Sequence, residues 1–202
     1  MNTKEFIESG IIEIYILGLA SKADSEEVER MALAHPEVKK EMEAIAITLE
    51  KFAQQNSKQP HPSIKPLLMA TIDYTERLEG GEPQSFPTIL NEHSKIEDYS
   101  EWLNRKDMVA PADFEEIYAK IIGFTPEVTS AIVWMKNMAP EEVHANEYEK
   151  FLIIEGTCDI TIGDKVHQLI PGDYLTIPLH VDHNVKVTSK TPCKVILQRV
   201  AA

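Results

Sequence analysis

From Thr157 to Leu169 the chain alternates in a way that leaves few folds open. Cys158, Ile160 and Ile162 fall on one side while Thr157, Asp159 and Thr161 fall on the other. That is the period-two signature of a half-buried strand. Gly163-Asp164 follows as a glycine-first hairpin pair, and a returning strand carries Val166. Pro171-Gly172 marks a second turn, and Tyr174 to Pro178 reads as a third short strand. Strands this short, with turns this close together, predict an antiparallel barrel or jelly roll.

That scaffold brings potential metal ligands together. His144 and Glu149 precede the first of these strands, and His183 follows the last. Antiparallel pairing places such distant groups side by side. Two imidazoles and one carboxylate suit one divalent ion, whether iron(II), manganese, nickel or zinc, and leave coordination positions open.

The same segment resembles the two conserved motifs of the cupin superfamily. Glu142, one residue, His144, four residues, Glu149, six residues and Gly156 stand in the pattern of the first motif. Gly172, five residues, Pro178, one residue, His180, two residues and His183 stand in the pattern of the second. Two positions depart: Glu142 replaces the first histidine and His180 replaces a glycine. The resemblance implies a C-terminal cupin barrel whose metal ligands are His144, Glu149 and His183. Glu142 is a candidate fourth ligand, since a carboxylate can hold a hard cation. Asn146 is an alternative oxygen donor if the register differs by two.

Upstream of residue 80 the period changes to that of helices. Residues 4–19 read as one strongly apolar helix, with Phe6, Ile7, Ile11, Ile14 and Leu17 at three- and four-residue steps. A second helix reaches Ala34, with Asp24 three residues before Glu27 in a capping-box-like start. His35-Pro36 opens a long third helix along Val38, Met42, Ile45, Leu49 and Phe52. A fourth is predicted over 63–78. Gly80-Gly81, Pro83 and Pro87 read as a linker, residues 96–103 as a short helix, and 116–122 and 128–135 as strands. The expected organisation is α+β and multidomain: an all-α bundle over 1–80, a linker over 81–105, and an all-β cupin barrel over 106–202.

Ile14-Tyr15-Ile16-Leu17-Gly18-Leu19, then Glu26-Glu27-Val28-Glu29, then His35-Pro36-Glu37 is similar to the N-terminal domain of anti-sigma factors. His35 is followed by Lys39 and Met42 where zinc-binding members carry cysteines, so the resemblance implies a zinc-free member. A helical anti-sigma domain joined to a cupin resembles the ChrR-type arrangement. It implies a partner of the extracytoplasmic-function (ECF) sigma class, gripped by the helices, and a barrel that senses a stress signal. The alternatives are a metal-dependent cupin enzyme, such as a dioxygenase or isomerase, and a small-molecule-binding cupin with a helical interaction domain.

Composition narrows the choice. With 33 acidic against 20 basic residues the net charge is −13, which argues against nucleic acid as a direct partner. Two cysteines, Cys158 and Cys193, cannot build a disulfide framework, and their apolar strands predict buried thiols. No apolar run approaches the roughly 18 residues of a membrane span, so the expected location is cytoplasmic. A homodimer through the barrel or the helices is a further expectation.

Overall fold

In the computed structural model, which describes residues 2–202, the chain divides into two compact units, 1–59 and 60–202. The division falls 21 residues before the expected one, after residue 59 rather than 80.

The first unit is helical. The segment expected as one helix is two, α1 (Thr3–Ile7) and α2 (Ile11–Ile16). Gly10, at φ 79°, turns the chain between them in the left-handed region that glycine enters without steric cost. α3 (Lys22–Ala34) begins at Ser21, whose side chain accepts a hydrogen bond from the Asp24 amide. Asp24 is therefore inside the first turn rather than at the cap. α4 (Pro36–Gln55) starts at the predicted proline, and His35 is extended at φ −132°. Phe6, Ile12, Val28, Met31 and Val38 form the core of this unit.

The second unit opens with α5 (Ile64–Glu79), the helix expected to complete the N-terminal bundle. It lies instead along β1 (Ile117–Phe124) and places Ala70 and Tyr74 in the barrel's interior cluster. Asp73 fixes it there, receiving Lys120 Nζ at 2.8 Å and Arg77 Nε at 3.0 Å, while Arg77 also donates to the carbonyl of Ile121.

The barrel has two antiparallel sheets. The first has the order β1, β2 (Val128–Met135), β9 (Cys193–Ala201), β4 (Glu147–Glu155) and β7 (Tyr174–Ile177). The second has β3 (Met138–Glu142), β8 (His183–Val187), β5 (Cys158–Ile162) and β6 (Lys165–Leu169). The strand and hairpin expected from alternation are β5 and β6, with Ile162 opposite Lys165 across Gly163-Asp164. Fold class agrees with expectation: N-terminal helices precede a β-rich, cupin-like jelly roll.

The expected linker is not a linker. Residues 82–91 cross the outer face of the first sheet without regular structure and turn at Glu92-His93, followed by a short 3-10 turn (Ile96–Tyr99) and α6 (Ser100–Leu103). Leu90, Tyr99, Trp102 and Met108 pack there against Ile122, Ile132, Trp134, Leu152, Ile154 and Ile196. Gln198, buried on that face, accepts from the Leu90 amide at 2.7 Å and donates to the Thr88 carbonyl at 2.9 Å. The strap's backbone groups are thus satisfied by the sheet it covers. Cys158 and Cys193 are buried free thiols of the interior cluster, as their patterning predicted. Among the described residues no helix is long and apolar enough to cross a membrane.

Candidate metal centre

Strand register delivers four charged or imidazole side chains to one point. Glu149 on β4 faces Arg199 on β9, and Glu142 on β3 faces His183 on β8. Glu149, Phe151 and Ile153 share one face of β4, and Val195, Leu197 and Arg199 share one face of β9. The polar pair therefore continues two apolar rows that point into the barrel. His144 arrives from the loop between β3 and β4, and its carbonyl accepts the His180 amide at 2.8 Å.

The ligand atoms of His144, Glu149 and His183 all lie within 4.8 Å of one another. His183 Nε2 is 3.0 Å from Glu149 Oε2, and His144 Nε2 is 3.7 Å from Glu149 Oε1. Neighbouring ligands held about 2.1 Å from one ion sit about 3–3.5 Å apart, so small shifts bring these atoms onto a common centre. Glu149 and His183 are each only 3% exposed. His144 Nε2 and His183 Nδ1 are buried without a hydrogen-bond partner. An unsatisfied imidazole nitrogen aimed between two carboxylates is costly as it stands, and a cation would satisfy it. The donors fit a metal.

Electrostatics favour the same reading. Burial alone would push the Glu149 carboxyl up, but the two imidazoles against it, His144 at 3.7 Å and His183 hydrogen-bonded, together with the charge of Arg199 hold it well below its ordinary range. Glu149 is thus an anion at neutral pH. The Glu149 carboxylate raises the His144 pKa, with burial acting against it. Arg199 is largely buried, which disfavours its charge, yet Glu149, Glu142 and Glu147 around it keep it protonated.

Of the predicted ligands, the structure brings His144, Glu149 and His183 together. Glu142 lies beside them, but its Oε2 accepts from Arg199 Nη2 at 2.9 Å and stands 3.5 Å from His144 Nε2. Asn146 is exposed, and its backbone carbonyl accepts the Ala202 amide. Sequence reasoning missed Arg199. The signal was available: an arginine that continues the Val195, Leu197 alternation must enter the interior. His61 was missed as well; its Nδ1 lies 3.4 Å from Glu142 Oε1.

The motif's two glycine positions behave differently. At Gly156, φ 74°, an added Cβ would lie 2.7 Å from Ser189 Oγ and 2.8 Å from the Pro192 carbonyl, so only glycine fits. His180 adopts φ 61°, the one positive φ at a non-glycine among the described residues. The backbone has kept the glycine conformation that the motif requires while the residue has changed. His180 is exposed and makes no side-chain contact that rewards the strain. His180→Gly is therefore expected to raise the unfolding free energy by about 1 kcal/mol. Urea denaturation measures it; a loss of stability would contradict the strain argument.

A partly open cavity of about 50 Å³ adjoins the centre. Ile117, Val133, Met135, Phe151, Val185 and Leu197 give it apolar walls, and Ser63, Pro66 and Leu67 at the start of α5 line it too.

A family model described as the cupin domain matches residues 133–198, the stretch that contains the three candidate ligands. No curated protein matches the chain significantly. Among solved structures, the cupin domain of Schizosaccharomyces pombe Cnp3 is similar at 13% identity and a TM-score of 0.42, over 44% of this chain and 67% of that one. KdgF from Halomonas sp. is similar at 18% identity and a TM-score of 0.42, over 48% and 90%. A cupin-2 domain-containing protein from Shewanella frigidimarina is similar at 23% identity and a TM-score of 0.39, over 43% and 83%.

Proposed function

We propose that this chain is a cytoplasmic anti-sigma regulator: its helical unit sequesters an ECF-type sigma factor, and its cupin, loaded with one divalent metal on His144, Glu149 and His183, senses the signal. The convergence of one buried and one partly buried imidazole on a buried carboxylate carries the metal half of this reading. When bound, the ion would supply an open coordination position for a small ligand. The chain's own residues do the rest: His144, His183 and Arg199 keep Glu149 anionic, and apolar side chains wall the cavity beside it.

The partner half is supported by the surface of the helical unit. Leu33 is 89% exposed, Leu19 75% and Leu17 55%, with Ile47 and Phe52 also exposed. Apolar side chains in this number on so small a unit suit burial against another protein. The acidic charge suits a basic protein surface. A signal at the barrel can release the partner only by binding two arrangements of the chain with different affinity.

Ile12 is not part of that surface. It is fully buried in the helical core, so Ile12→Asp is expected to unfold the unit rather than to probe an interface. Leu19→Asp and Leu33→Asp are the informative changes. Each should leave helicity by circular dichroism unchanged and weaken co-purification with the sigma factor about tenfold or more. A complex that survives both substitutions rules out this face.

Elemental analysis and titration test the metal. The native chain is expected to bind one equivalent of zinc or iron(II), and His144→Ala, Glu149→Gln and His183→Ala each to weaken binding by about a hundredfold. Affinity should fall with acidity, because both histidines must be neutral to ligate. Substoichiometric metal after reconstitution defeats the proposal. The second reading, a metal-dependent or small-molecule-binding cupin without a sigma partner, is favoured by the apolar cavity beside the centre, and turnover of a test substrate would distinguish it.

A further inference from the structure

Glu142 is where the chain departs most from the cupin pattern, and the structure gives this departure a partner. The residue occupies a ligand position, and its pairing with His183 across β3 and β8 delivers the side chain to the centre. Both of its oxygens nevertheless face other groups. Oε2 accepts from Arg199 Nη2 at 2.9 Å, and Oε1 lies 3.4 Å from His61 Nδ1. Arg199 reaches it from the opposite sheet and grips two carboxylates at once, donating from Nε to Glu149 Oε1 at 3.0 Å. The planar guanidinium offers its donors in a fixed fork, so it holds the two acids in a set relation that a lysine could not reproduce.

Resting on the metal reading above, we propose that Arg199 is a positioning residue that keeps Glu142 out of the coordination sphere. The centre is then built from three protein ligands, not four. The oxygen of Glu142 that lies 3.5 Å from His144 Nε2 is the one that accepts from Arg199 Nη2, so moving onto an ion would cost it that charge-assisted hydrogen bond. The guanidinium also cancels one of the two buried negative charges, leaving the His144, Glu149 and His183 set with a single anionic ligand. Three protein ligands leave positions free for water or a small ligand, whereas a second carboxylate as fourth ligand would close a tetrahedral site. Arg199 has one further carboxylate in reach, Glu147 Oε1 at 3.5 Å from its Nε. Glu147 is a surface-accessible neighbour and does not replace the Glu142 contact made by Nη2.

Cobalt(II) titration of the full chain tests this, with coordination read from visible absorption and from X-ray absorption. Glu142→Gln alone is expected to change cobalt affinity by less than about threefold and to leave the spectrum as it was. In an Arg199→Met background, Glu142 is released, and the same substitution should then weaken binding by about tenfold or more and remove one oxygen ligand. Because the comparison is made within each background, any misplacement of Glu149 in the Arg199→Met chain cancels. A tenfold loss from Glu142→Gln alone, or no effect in either background, overturns the inference. Should Arg199→Met fail to fold, Glu142→Gln in the native chain decides. Cobalt binding by Arg199→Met and not by the native chain would defeat the metal reading of the native protein while supporting the role of Arg199. Binding by neither defeats both.

Discussion

A fragment comprising residues 60–202 should fold cooperatively, while one that begins at residue 106 should be insoluble or molten. The second fragment contains every strand, so intuition from the motifs would choose it. It loses Leu90, Tyr99 and Trp102, each buried against the outer face of the five-stranded sheet. Burying a large apolar side chain contributes about 1.5–3 kcal/mol, so these three alone amount to about 5–9 kcal/mol. Whole domains are stable by only about 5–15 kcal/mol. The shorter fragment also strips the interior of Ala70 and Tyr74 and leaves Lys120, buried on β1, without Asp73. An uncompensated buried ammonium adds to the loss. Thermal unfolding followed by near-ultraviolet circular dichroism and dye binding measures both fragments. A cooperative transition for 106–202, within a few degrees of the longer fragment, would mean that the strap and α5 are ornaments on an independent barrel.

That contrast also locates what was legible in the sequence. The hairpin of β5 and β6, the strands β1 and β2, and α4 with its proline start all carry local signals: alternation, a glycine turn, a cap. The three candidate ligands were legible because motif spacing encodes strand register, and register is local wherever one face is buried. The strap was not. Glycines and prolines at 80–87 do mark irregular backbone, but irregular backbone can be a tether or a cover. What decides is whether Leu90, Tyr99 and Trp102 find a partner, and that partner, the outer face of β2, β4 and β9, lies 30 to 110 residues away. The assignment of α5 failed for the same reason. Its apolar set fits a bundle and a barrel equally well, and the choice is made by Asp73 and Arg77 meeting Lys120 and the Ile121 carbonyl. Arg199 falls between the two cases. Its parity was readable, but its meaning required knowing that Glu149 stands opposite.

Arg199→Ala should cost the metal-free protein about 3 kcal/mol of stability at pH 7, and the cost should shrink on acidification. Breaking a buried ion pair by removing one partner typically costs about 3–5 kcal/mol, because the remaining charge is stranded. Arg199 keeps a fifth of its side chain exposed, so the lower end applies. The pH dependence follows from the direction of the Glu149 shift. In the native chain its carboxyl is held below the ordinary value of 4.5, so it contributes stability above that pH, lost as the pH falls through the folded value. Without Arg199, burial, the largest influence on this group, is opposed by the two histidines alone. The folded pKa of Glu149 then rises, and the variant gives up less stability than the native chain as the pH drops. Urea denaturation in the presence of a chelator, at pH 7 and at about pH 4, measures the two differences. A gap that widens in acid, or a variant as stable as the native chain at pH 7, would mean that Arg199 is not what keeps the buried carboxylate charged.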